Sequence, residues 1–112
     1  MEENMDVEVV KAAAEETSVV IVKLRKEFEF EGITYNEFKL DFDSLKGVDF
    51  IKIEKEMNSL NEFALSPEIS PNYCARIAAR AAGVPAEVIM NLSLKDFNTI
   101  KNKARDFLAV LD

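Results

Sequence analysis

Chemistry needs titratable or nucleophilic side chains at workable spacing, and this chain offers few. It has no histidine, so the commonest general base and zinc ligand is missing. Its one cysteine, Cys74, lies between Tyr73 and Ala75 in a helix-forming run. A buried thiol acting as a small hydrophobe is the expected state there. One cysteine makes no internal disulfide, which fits a reducing cytoplasm. Asp41 and Asp43 are two apart, as are Glu54 and Glu56. On a strand such a pair shares a face and could hold a hard cation weakly, but in so acidic a segment it reads as a solvated face. The three glycines, Gly32, Gly47 and Gly83, make no phosphate-cradling loop. The expectation is a protein that is not an enzyme, with no catalytic residues, cofactor or metal site.

Two local patterns imitate function and are set aside on their surroundings. Asp43-Ser44-Leu45 ahead of a helical period resembles the attachment serine of an acyl carrier protein. That fold is an all-helical bundle, and the residues before Ser44 alternate as strands, so Ser44 reads as a helix-start residue. Pro71 to Phe107 has the outline of a helix-turn-helix, with Gly83 at a turn and basic Arg76, Arg80, Lys95, Lys101, Lys103 and Arg105. A recognition helix offers Arg, Lys, Asn or Gln to base edges. The short helix after Pro85 offers only Asn91, near its end. A small helical nucleic-acid-binding regulator is therefore kept only as a second alternative, and the expectation is no nucleic acid.

The elements that must position any site follow from periodicity. Residues 1–17 mix acids with three alanines and hold no durable period; they read as a disordered acidic segment. Residues 18–112 read as one α+β domain. Ser18 to Leu24 is dense in β-branched residues and predicts a strand, interrupted by Arg25, Lys26 and Glu27. Phe28 and Phe30 alternate with Glu29 and Glu31, Gly32 supplies a tight turn, and Ile33 and Tyr35 resume the alternation. Phe38, Leu40 and Phe42 continue it after a slip in phase between Tyr35 and Phe38, which predicts a bulge or bend. Strands over 18–42 in a three-stranded antiparallel meander are the economical layout, covered on one face by helices.

From Asp43 the period changes. Val48, Ile51, Met57 and Leu60, flanked by Phe50 and Ile53, predict a helix over 48–61, with Asp43 or Ser44 as cap if it starts early. Ser70-Pro71 opens a helical part over 70–111. Gly83 stops its first helix, Pro85 opens a short one ending near Asn91, and Ser93 with Asp96 starts the last in a box-like signal. Along that last helix Phe97, Ile100, Ala104, Phe107 and Leu111 form an apolar stripe opposite Lys101, Lys103 and Arg105. Five alanines between Ala75 and Ala82 permit close helix packing.

A chain of 112 residues, 48% of them hydrophobic, is long enough for one modest core and short for an enclosed active site. No apolar run reaches the eighteen or so residues of a membrane helix, and the acidic start argues against an export signal. The net charge is −7 and uneven. Residues 1–62 carry sixteen acids against eight bases, and residues 63–112 five against six. The acidic front disfavours phosphate backbones and anionic membranes; the near-neutral back suits protein contact. Phe28, Phe30, Tyr35, Phe38, Phe42 and Phe50 are many aromatics for one short stretch. Part of that row, or the Phe97–Phe107–Leu111 face, is the candidate surface for a second copy or a helical client.

The chain resembles the tail assembly chaperones of long-tailed bacteriophages and prophages. Val22-Lys23-Leu24 is similar to that family's first strand. Phe28-Glu29-Phe30-Glu31-Gly32-Ile33-Thr34-Tyr35 is similar to its aromatic hairpin, and Phe38-Lys39-Leu40 to the outgoing strand. Ala82-Gly83-Val84-Pro85 with Leu92-Ser93-Leu94-Lys95-Asp96-Phe97 resembles its helical segment. The likeness runs from Ser18 to Leu108 and leaves out the acidic start and Asn58–Ser70. It implies a non-enzymatic chaperone of the bacterial cytoplasm, absent from the finished virion, that solubilises the tape measure protein and guides tail tube protein around it. It also implies self-association and, in many members, a longer form made by frameshifting. A structural or adaptor component of the tail or head–tail connector is the alternative within the same assembly.

Overall fold

The computed structural model describes residues 19–62, 67 and 70–111. The segment read as disordered, 1–17, and most of the connector 63–69 lie outside them. Two strands come first, β1 (Val19–Phe30) and β2 (Ile33–Asp41). A single 3-10 turn over Phe42–Ser44 follows. Four helices follow among the described residues: α1 (Gly47–Ser59), α2 (Pro71–Ala82), α3 (Ala86–Met90) and α4 (Leu94–Ala109). The α+β class expected from the sequence is the class observed.

The sheet has two strands, not three. Arg25, Lys26 and Glu27 do not break the first strand; they belong to it. Val19↔Asp41 through Lys23↔Glu37 pair in one register, and Phe28↔Tyr35 through Phe30↔Ile33 in another. Between the two, the four residues Leu24–Glu27 face Asn36 alone. The slip foreseen as an extra residue on the Tyr35–Phe38 side is therefore at the right level but on the opposite strand. An odd offset reverses which residues of β2 point inward. That is why Phe38 and Leu40 face the core near the base, while Tyr35 and Ile33 share a face with Phe28 and Phe30.

Caps and stops are local chemistry and fall where the residues put them. The Ser70 hydroxyl accepts from the Tyr73 N–H at 3.1 Å with Pro71 in the first turn. Gly83 ends α2 in the left-handed region at φ 74°. Ser93 accepts from the Asp96 N–H at the start of α4. At α1 the expected caps are not used. Ser44 donates to the Asp41 carbonyl instead. The helix starts at Gly47, where the Asp49 carboxylate takes the Lys46 N–H at 2.8 Å.

Helix α2 is the centre of the packing, with seven of its twelve residues buried. Its alanines Ala75, Ala78 and Ala79 let α4, α3 and β2 approach its backbone closely. Val22, Phe38, Leu40 and Phe42 supply the sheet side of the core, and Ile77, Val88, Ile89 and Ile100 the helical side. The last helix runs along β1: Asp96 near its start meets Arg25, and Phe107 near its end stacks on Phe42 at 4.7 Å between ring centres. The apolar face of α1 is rotated from the expected one. Ile53 and Met57 are buried, whereas Val48, Ile51 and Leu60 are exposed.

Candidate functional site

The hairpin end of the sheet holds most of the candidate residues. Its turn, Glu31-Gly32, has φ of 50° and 84°. Two successive left-handed residues make the tight turn whose twist matches paired strands. The turn fixes Phe30 opposite Ile33 and Phe28 opposite Tyr35, with side chains a few ångströms apart on one face. Phe28 and Phe30 stack at 6.1 Å, and Tyr35 stacks on Phe38 at 5.2 Å. The result is one row of rings, Phe30, Phe28, Tyr35, Phe38, running from the turn toward the core.

Exposure divides that row. Phe38 is 4% exposed and serves the core. Phe28, Phe30 and Tyr35 are half-buried, packed against the core on one side. Ile33 is 56% exposed; the sequence reading placed it in the strand without singling it out. Glu27, Glu29, Glu31 and Glu37 lie between residues 27 and 38; Glu37 stands opposite Lys23 across the ladder, and Arg25 and Lys26 precede Glu27 on the same strand.

The second candidate face is split along α4. Phe97 and Phe107 are half-buried and Leu111, past the helix end, is exposed. Ile100 and Ala104 between them are fully buried. The helix therefore spends its middle on the core and leaves apolar surface at both ends, at Leu94, which is 79% exposed, and at the C-terminal end. There Val20, Phe42 and Phe107, together with Asp43, Lys103 and Asp106, line a groove of about 350 Å³.

What fixes the position of the aromatic row is a buried acid. Asp96 accepts the Arg25 N–H through both carboxylate oxygens, at 3.1 and 3.2 Å, and takes the Ser93 hydroxyl at 3.3 Å. The irregular stretch Leu24–Glu27 thus has an anchor at the level where the register changes. The spacing of Asp96 marks it as a partner of Ser93 and carries no signal of a bond to β1.

The conspicuous charged cluster is structural. Arg80 pairs with Asp49 at 2.9 Å and Glu56 at 3.1 Å, and Arg76 with Glu56 at 3.2 Å and Glu62 at 3.5 Å. These bonds tie α1 to α2 and border a groove of about 370 Å³ that reaches Val84 and Pro85. Both guanidinium groups are occupied by carboxylates, so the groove offers an anion little. The Lys46 N–H, and with it the Arg80 guanidinium, holds the Asp49 carboxyl below its ordinary value, against a smaller opposing effect of burial. The Cys74 thiol is buried and donates to the Pro67 carbonyl at 3.7 Å. Among the described residues no three of Cys, Asp and Glu converge to hold a metal ion. None of the described helices is long and apolar enough to cross a membrane. Comparison with protein-family models, curated proteins and solved structures gave no match.

Proposed function

We propose that this chain is a non-enzymatic tail assembly chaperone. It covers apolar faces of the tape measure protein, keeps that long helical client soluble, and helps recruit tail tube subunits. The observation that carries the reading is the row of Phe28, Phe30 and Tyr35, half-buried against the core and half-exposed, with the exposed Ile33 paired to Phe30. Aromatic rings held by a paired strand give large contact area with little ordering cost on binding. Each contact is small, so several copies along one client hold it by avidity, and stoichiometric tube subunits can displace them. The resemblance of the hairpin and of the Gly83–Phe97 segment to the phage family supplies the identity of the client.

Co-expression with the tape measure protein tests this. The wild-type chain should keep the client in the soluble fraction and co-purify with it, and should be missing from purified virions. Phe30→Ser with Tyr35→Ser, shown by circular dichroism to remain folded, should lose the client. Unchanged solubility and co-purification with the folded variant would sink the reading. Stoichiometric retention in virions would make the chain a structural component instead.

A further inference from the structure

Helix α1 gives little of itself to the core. Of its thirteen residues only Ile53 and Met57 are buried, while Val48, Phe50 and Ile51 are exposed. Its N-cap residue is Lys46, a side chain with no acceptor for the first N–H groups, and Gly47, a poor helix former, opens it. It packs chiefly on α2, whereas α2 also packs on α3, α4 and β2. The face of α2 beneath α1 carries Tyr73, Arg76 and Arg80, three and four positions apart and so on one side of that helix. The Tyr73 ring tilts against Phe50 of α1, and its hydroxyl is buried with no partner among the described residues. Arg80 takes both of its carboxylates, Asp49 and Glu56, from α1, and Arg76 takes Glu56. Glu62, past the end of α1, also accepts from Asn72, so it can stay with α2 as a partner of Arg76.

Lifting α1 would therefore wet a dry hydroxyl and uncover few apolar side chains, and it would leave Arg80 without a carboxylate. We infer that α1 is a displaceable strap over a helix-binding face of α2, and that the partner is an acidic amphipathic helix of another protein that repeats the pattern Asp49-Phe50-x-x-Ile53-x-x-Glu56-Met57. The acids of that pattern are seven positions apart, two turns, and the apolar residues three and four apart, so both lie along one stripe. Tyr73 and the core beneath receive the apolar residues, as a groove receives a helix. The forked guanidinium groups of Arg76 and Arg80 fix the register of the carboxylates. A partner with polar residues where α1 exposes Val48 and Ile51, and with a serine or aspartate cap where α1 has Lys46, makes the same contacts from a firmer helix. It must outcompete a tethered strap, whose effective concentration is on the order of millimolar; the weak start of α1 and the unsatisfied Tyr73 hydroxyl lower that barrier.

The inference stands apart from the chaperone reading, which rests on the hairpin, and its test uses the purified full chain with no tape measure protein. Native-state hydrogen exchange should show the amides of α1 exchanging as a group, well ahead of those of α2 and α4, and faster still at high salt. Arg80→Gln should speed the α1 group several-fold and leave α4 unchanged. The binding probe is a fluorescent synthetic peptide of residues 46–60, followed by anisotropy. Met57→Ala in the full chain loosens the strap and should take up this peptide more tightly than wild type does. Arg80→Glu should refuse it and should instead take the peptide carrying Asp49→Lys and Glu56→Lys, which wild type should not bind. If Arg80→Glu does not fold, Arg80→Gln serves in its place and should weaken uptake of the unaltered peptide. Amides of α1 that exchange only with those of α2 and α4, or peptide uptake indifferent to these charges, would each overturn the inference.

Discussion

The backbone N–H of Arg25 is held by both carboxylate oxygens of Asp96, 71 residues further along the chain. The bond satisfies a donor that the irregular register of β1 leaves without a ladder partner, and it ties the strand to the first turn of α4. Asp96 is 3% exposed, so removing the carboxylate strands the N–H in a site that water enters poorly. Hydrogen bonds to charged groups are worth about 1.5–3 kcal/mol. Asp96→Ala should therefore destabilise the fold by roughly 2–3 kcal/mol, read as a lower midpoint in urea. Arg25→Ala keeps the N–H and exposes nothing new, so it should shift stability by less than about 0.5 kcal/mol. Equal effects of the two substitutions would contradict this account.

The Tyr73 hydroxyl is buried and makes no hydrogen bond among the described residues. The ring itself is well used, tilted against Phe50 at 5.8 Å. An unsatisfied buried hydroxyl costs about 1–3 kcal/mol. Tyr73→Phe should then be neutral or stabilising by about 1 kcal/mol at neutral pH. Burial, reinforced by the charge of Glu54, pushes the phenol well above its ordinary value of 10.0. Above that value the unfolded chain ionises while the folded chain holds its proton, so stability is lost as pH rises. Chemical denaturation of the phenylalanine variant should show a shallower decline on the alkaline side than wild type.

The opposite sign applies at Asp49. Its carboxyl is held below the ordinary 3.8 by the Lys46 N–H and by Arg80. Its contribution to stability is present above 3.8 and is lost as pH falls through the lower folded value. Asp49→Asn removes it at neutral pH and has little left to lose in acid. The gap between the urea midpoints of wild type and variant should close as pH is taken below 3.8. A gap that stays constant would mean that the ionised carboxylate contributes nothing at this site.

These residues also show how far the sequence could be read. Ser70, Gly83, Pro85 and Ser93 announce helix boundaries because capping depends on neighbours in the chain, and all four boundaries are observed. The aromatic alternation about Glu31-Gly32 announces the hairpin for the same reason. The merger of two expected strands into β1 was not legible. Leu24–Glu27 look like a break, and the group that makes them a tolerable irregularity is Asp96, which lies far along the chain. Nor was the pairing of Arg76 and Arg80 with Asp49, Glu56 and Glu62. In one dimension those arginines are a wet flank; only the packing of α1 on α2 gives them partners. The candidate surface fell between these cases. Its rings were evident from spacing, but which of them face outward depends on the register offset.

Glu31 holds its place in the hairpin turn at a conformational cost. It sits at φ 50°, a conformation that side chains other than asparagine and glycine resist by about 1–2 kcal/mol. The turn at this position favours asparagine before glycine. Glu31→Asn should raise the free energy of unfolding by about 0.5–1 kcal/mol, seen as a higher midpoint in urea. Residues kept at a conformational cost often mark a working surface. A midpoint that does not rise would mean that the left-handed conformation costs Glu31 nothing at this turn.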